Sequence, residues 1–97
     1  MELLSSPLEF EWDKYNTERI RVKHKIEPGE CEQVFFNIPA TIKPDIAHSQ
    51  VEERYFASGK TNSGRILIVV YTIRSKKISV ITARDANKKE RRLHEKA

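Results

Sequence analysis

Four arginines stand where a chain could take hold of a phosphate. Arg65 opens the β-prone run RILIVVYTIR and Arg74 closes it. Arg84 ends the next run, KISVITAR, and Arg54 lies in EERYF behind Glu52 and Glu53. A planar guanidinium meets two phosphate oxygens at once, which suits arginine to a phosphodiester. If the two long runs pair as antiparallel neighbours, the end of one lies beside the start of the other. Arg84 is then expected near Arg65 at one edge of a sheet. Two like charges are tolerated there when solvated, or when an anion binds between them. Straight after Arg84 comes DANKKERRLHEKA, a basic helical pattern carrying Lys88, Lys89 and Arg92. Each feature alone has a plainer reading. A strand-end arginine is most often a solubilising cap, and a run such as KKERR is usually a wet helix face.

Other chemistries lack their residues. His24, His48 and His94 fall in separate segments without metal-ligand spacing, and Cys31 is the single cysteine, so neither a metal nor a cofactor is expected. The three glycines are scattered, which excludes a Gly-rich phosphate loop. The Ser, His and Asp residues have no nucleophile-elbow context. A lone cysteine makes no internal disulfide, and Cys31 in PGECEQVFF reads as a buried structural thiol in a reducing compartment.

The elements that must position the arginines follow from length and pattern. Ninety-seven residues, 38% hydrophobic and 33% charged, make one domain over 1–97, with residues 1–7 expected as a flexible N-terminal extension. Residues 1–35 hold five Lys/Arg against eight Asp/Glu, residues 36–83 seven against three, and residues 84–97 six against three. The net charge of +4 is therefore gathered after the first third, as a polyanion-binding face requires. The start, MELLSSPLEFEW, carries no basic leader, and the longest apolar run, ILIVVY, falls far short of the ~20 residues that span a bilayer. A soluble cytoplasmic protein is expected, with no membrane contact.

LEFEWD alternates as a short strand, and Asp13 is placed to cap a helix over KYNTERIRVKHK. EPGECEQVFF reads as a second helix with proline in its first turn. NIPATIKPD, broken by two prolines, is at best a short edge strand. VEERYFASGKT, RILIVVYTIR and KISVITAR read as successive strands joined by tight turns, and the last segment is a helix capped by Asp85 or Asn87. The fold class is α+β, a central antiparallel sheet with RILIVVYTIR in the middle and helices packed mainly on one face.

Read together, FEWD, then KHKI followed by FF, then HS..EERYF..G.T..GR.L.VVYT.R, then ITARDANKKERR, resemble the BrnT toxins of bacterial type II toxin–antitoxin modules. The resemblance runs from about Phe10 to Glu95. It departs from the commoner pattern at Lys25, where many members have glycine, at Thr82, where serine is common, and at His94, where tyrosine is usual. The resemblance implies a RelE-like fold and an endoribonuclease that stops translation until an antitoxin binds. It implies a BrnA-like ribbon-helix-helix partner, a 2:2 complex, and repression of the complex's own operator DNA. Carried over, the family's functional positions fall on His24, Glu53, Arg65 and Arg84, with Lys23 and Arg54 as neighbours; from their charge, Arg74, Lys88, Lys89 and Arg92 are expected as further RNA contacts. Chemistry gives these types a rationale. Metal-independent RNA cleavage moves a proton off the 2′-OH, puts one on the leaving oxygen and stabilises the phosphorane. Histidine suits the proton transfer, a glutamate raised by burial could be the base, and arginines suit the phosphorane. The alternatives are a non-catalytic nucleic-acid-binding module, marked by salt-dependent RNA affinity without cleavage, and a protein-interaction module, marked by no RNA affinity.

Overall fold

A computed structural model describes residues 8–37, 40–45 and 52–95; the expected flexible extension at 1–7 lies outside the described residues. In chain order the elements are β1 (Phe10–Glu11), α1 (Lys14–His24), α2 (Pro28–Phe36), β2 (Thr41–Pro44), β3 (Tyr55–Lys60), β4 (Ile66–Arg74), β5 (Lys77–Asp85) and α3 (Lys88–Glu95). The sheet runs β1-β5-β4-β3-β2, so β4 is the middle strand as expected. One expectation is corrected. β1 lies parallel to β5, so the sheet is mixed and only its other three pairings are antiparallel. The intervening α1 and α2 return the chain far enough to permit the parallel pair.

Local chemistry accounts for the helices. The Asp13 carboxylate accepts the Asn16 N–H at 3.0 Å, capping α1. Glu27 and Glu30 form a reciprocal capping box around Pro28 at the start of α2. Asn87, rather than Asp85, caps α3: its side chain accepts the Glu90 N–H at 2.8 Å while Glu90 accepts the Asn87 N–H at 2.9 Å. Lys25 ends α1 with φ of 57°, a left-handed conformation that glycine adopts without strain.

The two sheet faces differ. One carries Leu67, Val69, Tyr71, Ile78, Val80 and Ala83 against Ile20 of α1 and Cys31 and Val34 of α2. Cys31 is fully buried, as expected, and burial pushes its thiol up to about 12. The other face has a smaller apolar cluster of Ile66, Ile68 and Ala86, with Phe56 packed on it. Here α3 lies across the sheet, so helices sit on both faces, two against one.

A register shift decides which face each β5 side chain takes. Val70 pairs with Thr82 but Tyr71 pairs with Val80, leaving Ile81 as an extra residue on β5. Such a bulge inverts the alternation of everything beyond it. Side chains of α1 hold the bulged backbone: Arg19 Nη2 donates to the Ile81 carbonyl at 2.6 Å and Asn16 Nδ2 to the Val80 carbonyl at 3.5 Å.

Candidate nucleic-acid interface

Arg65 and Arg84 lie at one end of the sheet, as expected, but on opposite faces. Arg65 belongs to the face under α1 and α2. Its Nε and Nη2 grip Asp85 at 2.6 and 2.9 Å. Its Nη1 donates to the Lys25 carbonyl at 2.9 Å and approaches the Glu30 carboxylate at 3.4 Å, while Nη2 donates to the His24 carbonyl at 3.0 Å. A guanidinium has five N–H donors, and these contacts engage all of them. Arg65 therefore ties the end of α1, the start of α2 and the end of β5 into one knot. The hydrogen bond to Asp85 is the chief cause that raises the Arg65 pKa, and in return Arg65 holds the Asp85 carboxyl below its ordinary value.

His24 joins this knot through its backbone, with Lys23 exposed beside it. Glu53 does not. It accepts the Tyr55 hydroxyl at 2.6 Å, and Tyr55 pairs with Tyr71 near the far end of β4. Six residues of strand separate Arg65 from Tyr71, about 20 Å at the rise of a β-strand. Arg74 stays at that far end, bonded to Glu52 at 2.7 and 3.2 Å. Arg54 precedes β3 there, its carbonyl accepting the Asp45 N–H at 2.7 Å. Lys88, Lys89 and Arg92 are exposed on α3. His24 and Arg65 are thus brought together, while Glu53 and Arg84 each stand apart from them.

Arg84 faces the other way, into a cleft of about 510 Å³ between the sheet and α3, lined by Thr41, Lys43, Phe56, Ser58, Ile68, Arg84, Glu90, Leu93 and His94. The register explains the lining. Thr41, Ser58, Ile68 and Arg84 form one row straight across β2, β3, β4 and β5, and Lys43 and Phe56 stand side by side in the next. Glu90 holds the Arg84 fork at 2.7 and 2.9 Å. Arg84 is the chief cause that depresses the Glu90 carboxyl, to about 2, with the Asn87 N–H adding to it. One turn along α3, His94 is only 7% exposed and its buried Nδ1 has no hydrogen-bond partner among the described residues. An unpaired buried nitrogen costs free energy unless something meets it. Sequence reading gave His94 and Lys43 no role. The available signals were the i, i+4 spacing of Glu90 and His94 on one face of α3 and the alternation of Thr41 with Lys43.

The arrangement supplies a cation with phosphate geometry, an imidazole beside it and an apolar floor. Comparison with known proteins bears on what it serves. A family model described as the ribonuclease toxin BrnT of type II toxin–antitoxin systems matches residues 12–90. The crystal structure of the Brucella abortus ribonuclease toxin BrnT superposes with a TM-score of 0.63 at 23% identity, over 84% of this chain and 99% of that one. At that identity the likeness speaks for a shared fold. No curated protein matches the sequence.

Proposed function

Because the chain belongs to the BrnT family of ribonuclease toxins of type II toxin–antitoxin systems, we propose that it cuts RNA in the cleft between the sheet and α3, without a metal, by attack of the 2′-OH on the adjacent phosphate. The observation that carries this reading is the convergence of the Arg84 guanidinium and the His94 side chain on one cleft. The 2′-oxygen bonds to phosphorus as its proton leaves, and the bond to the 5′-oxygen breaks as that oxygen is protonated, giving a 2′,3′-cyclic phosphate and a 5′-OH. The imidazole of His94, which lines the cleft, exchanges the proton. Glu90 shares the cleft but is a poor base, being held to about 2 by Arg84. Arg84 meets the charge that grows on the phosphorane, where a preorganised donor acts most strongly. On this reading Arg65 braces the frame behind Arg84, and His24, Lys23 and Glu53 lie outside the reacting centre. Arg54, Arg74, Lys88, Lys89 and Arg92 contribute field to the approach of RNA.

The remaining family traits enter as parts of the same proposal: a RelE-like architecture, arrest of translation in the cytoplasm, and a BrnA-like ribbon-helix-helix antitoxin forming a 2:2 complex on its own operator. No helix among the described residues is long and apolar enough to cross a membrane. The direct test incubates the purified protein with single-stranded RNA in EDTA and analyses the product ends. Cleavage with cyclic-phosphate ends is expected, and His94→Gln should slow it roughly a hundredfold, the lower end of what a positioned acid–base group supplies. Cleavage abolished by EDTA and restored by a divalent ion would overturn the metal-free reading, and an unchanged rate in His94→Gln would remove the histidine.

A further inference from the structure

The cleft is more apolar than a phosphate needs. Phe56, Ile68 and Leu93 line it together with the hydroxyl residues Thr41 and Ser58 and the cations Lys43 and Arg84. Four large apolar side chains are exposed among the described residues, Tyr15, Val22, Phe36 and Leu93, and of these Leu93, at 61%, lies in the cleft. Phe56 rests one side on the Ile66–Ile68–Ala86 cluster and is half-buried, leaving ring surface toward the cleft. An apolar wall from the sheet, another from α3, hydroxyls at the margin and a guanidinium at the end match one kind of ligand group: a flat ring with polar edges, attached to a phosphate.

We infer that the cleft holds one unpaired nucleobase stacked on Phe56 and covered by Leu93, so that the enzyme takes single-stranded RNA and Phe56 sets how tightly it is held. The inference rests on the ribonuclease reading of this cleft and extends it to the substrate's form. A base within a duplex shows only its edges, so a site that grips its face selects unpaired strand. Stacking serves every base, which gives binding with little sequence demand and a preference for larger purine faces. Lys43 stands beside Phe56 in the register, with Arg84 across the sheet at about 16 Å between Cα atoms from strand spacing and rise. Their long side chains thus reach the backbone on either side of the stacked base.

The test measures binding of a short 2′-O-methylated RNA, which has no nucleophile, at several salt concentrations, alongside cleavage of the same sequence as ordinary RNA. Phe56→Leu retains apolar packing on Ile66 and Ile68 but removes the ring, and a melting curve confirms that it folds. Its affinity should fall roughly tenfold at every salt concentration, with an unchanged salt slope, because a stacking contact and not a charge is lost. Phe56→Trp should restore affinity, and the added indole emission should be quenched by single-stranded RNA. The wild type, whose Trp12 packs with the core on the other face of the sheet, should show no quenching. If Phe56→Leu binds and cleaves like wild type, the stacking site is gone while the ribonuclease reading stands. If wild type binds the RNA with these Phe56 effects but cuts nothing, the stacking site stands and the ribonuclease reading falls. No RNA binding by wild type removes both.

Discussion

Arg65 and Arg84 are one residue type at one end of one sheet, and their replacement should fail in different ways. Arg65→Ala removes a bidentate grip on Asp85, a longer contact with Glu30 and donors to two carbonyls at the end of α1. The Arg65 and Glu30 side chains are each 26% exposed and Asp85 is 54% exposed, so solvent takes over much of the lost pairing. Counting about 1 kcal/mol for the exposed pair and about 1 kcal/mol for the half-buried His24 carbonyl left without its charged donor, with water replacing the donor at the exposed Lys25 carbonyl, gives roughly 2 kcal/mol. For a domain of this size, that lowers the melting temperature by roughly 8–16 °C. Arg84→Ala loses a partly exposed pair with Glu90, with side chains 45% and 29% exposed, and an exposed hydrogen bond to the Asp85 carbonyl at 3.2 Å, so its melting curve should move by a few degrees at most. Its cleavage rate, though, should fall roughly a hundredfold or more as a transition-state donor disappears. The assay pairs thermal melting with single-turnover cleavage of one defined RNA at a temperature where every variant is folded. Arg65→Ala should then retain most of its rate. The reasoning is refuted if Arg65→Ala melts like wild type yet cuts a hundredfold more slowly, because Arg65 would then meet the phosphate and the knot would be incidental.

Two further outcomes follow from the same contacts. The Glu90 carboxyl lies at about 2 against an ordinary 4.5, and Asp85 is depressed in the same direction. Their stabilisation is complete above the ordinary carboxylate range and is lost as pH falls through the folded values, so denaturant midpoints should drop between about pH 5 and pH 2. Glu90→Gln should flatten part of that fall, and an unaltered profile would dissociate Glu90 from it. Lys25 ends α1 at φ of 57°, a conformation costing a side-chain-bearing residue about 1 kcal/mol. Lys25→Gly should therefore raise the melting temperature by about 4–8 °C; a lower melting temperature would mean that the lysine side chain stabilises more than its backbone strain costs.

What could be read in the sequence was what local chemistry decides. Asp13 caps a helix through its own side chain, Pro28 opens the next one, and Ile66–Arg74 is the middle strand because Ile66 to Tyr71 are apolar without a break. The edge strand at Thr41–Pro44 was marked by its prolines. The parallel pairing of β1 was not legible, since two residues carry no signal of direction. The reach of the EERYF segment was misjudged as well. The strand opens only at Tyr55, so Glu52, Glu53 and Arg54 belong to the approach to the sheet.

The site depended on a single residue that no alternation rule supplies. With an unbroken register, continuing from Ile73–Ile78 and Tyr71–Val80, Arg84 would stand opposite Leu67 on the α1–α2 face, diagonal to Arg65. That is the paired-arginine edge read from the sequence. The extra residue at Ile81 shifts the pairing, so that Ala83 and Asp85 take the inward places and Arg84 turns to α3. One bulge thereby gives Arg65 its carboxylate partner and delivers Arg84 to the cleft with Glu90 and His94. A faint trace does exist in the chain: the inward residues Ile78, Val80 and Ala83 are spaced two and then three apart. Yet Ile81 is itself apolar, and that masks the break. What holds the bulge comes from Asn16 and Arg19, on a helix more than sixty residues earlier. A position set by so distant a pair of donors is tertiary from the outset, and the direction in which Arg84 points is tertiary with it.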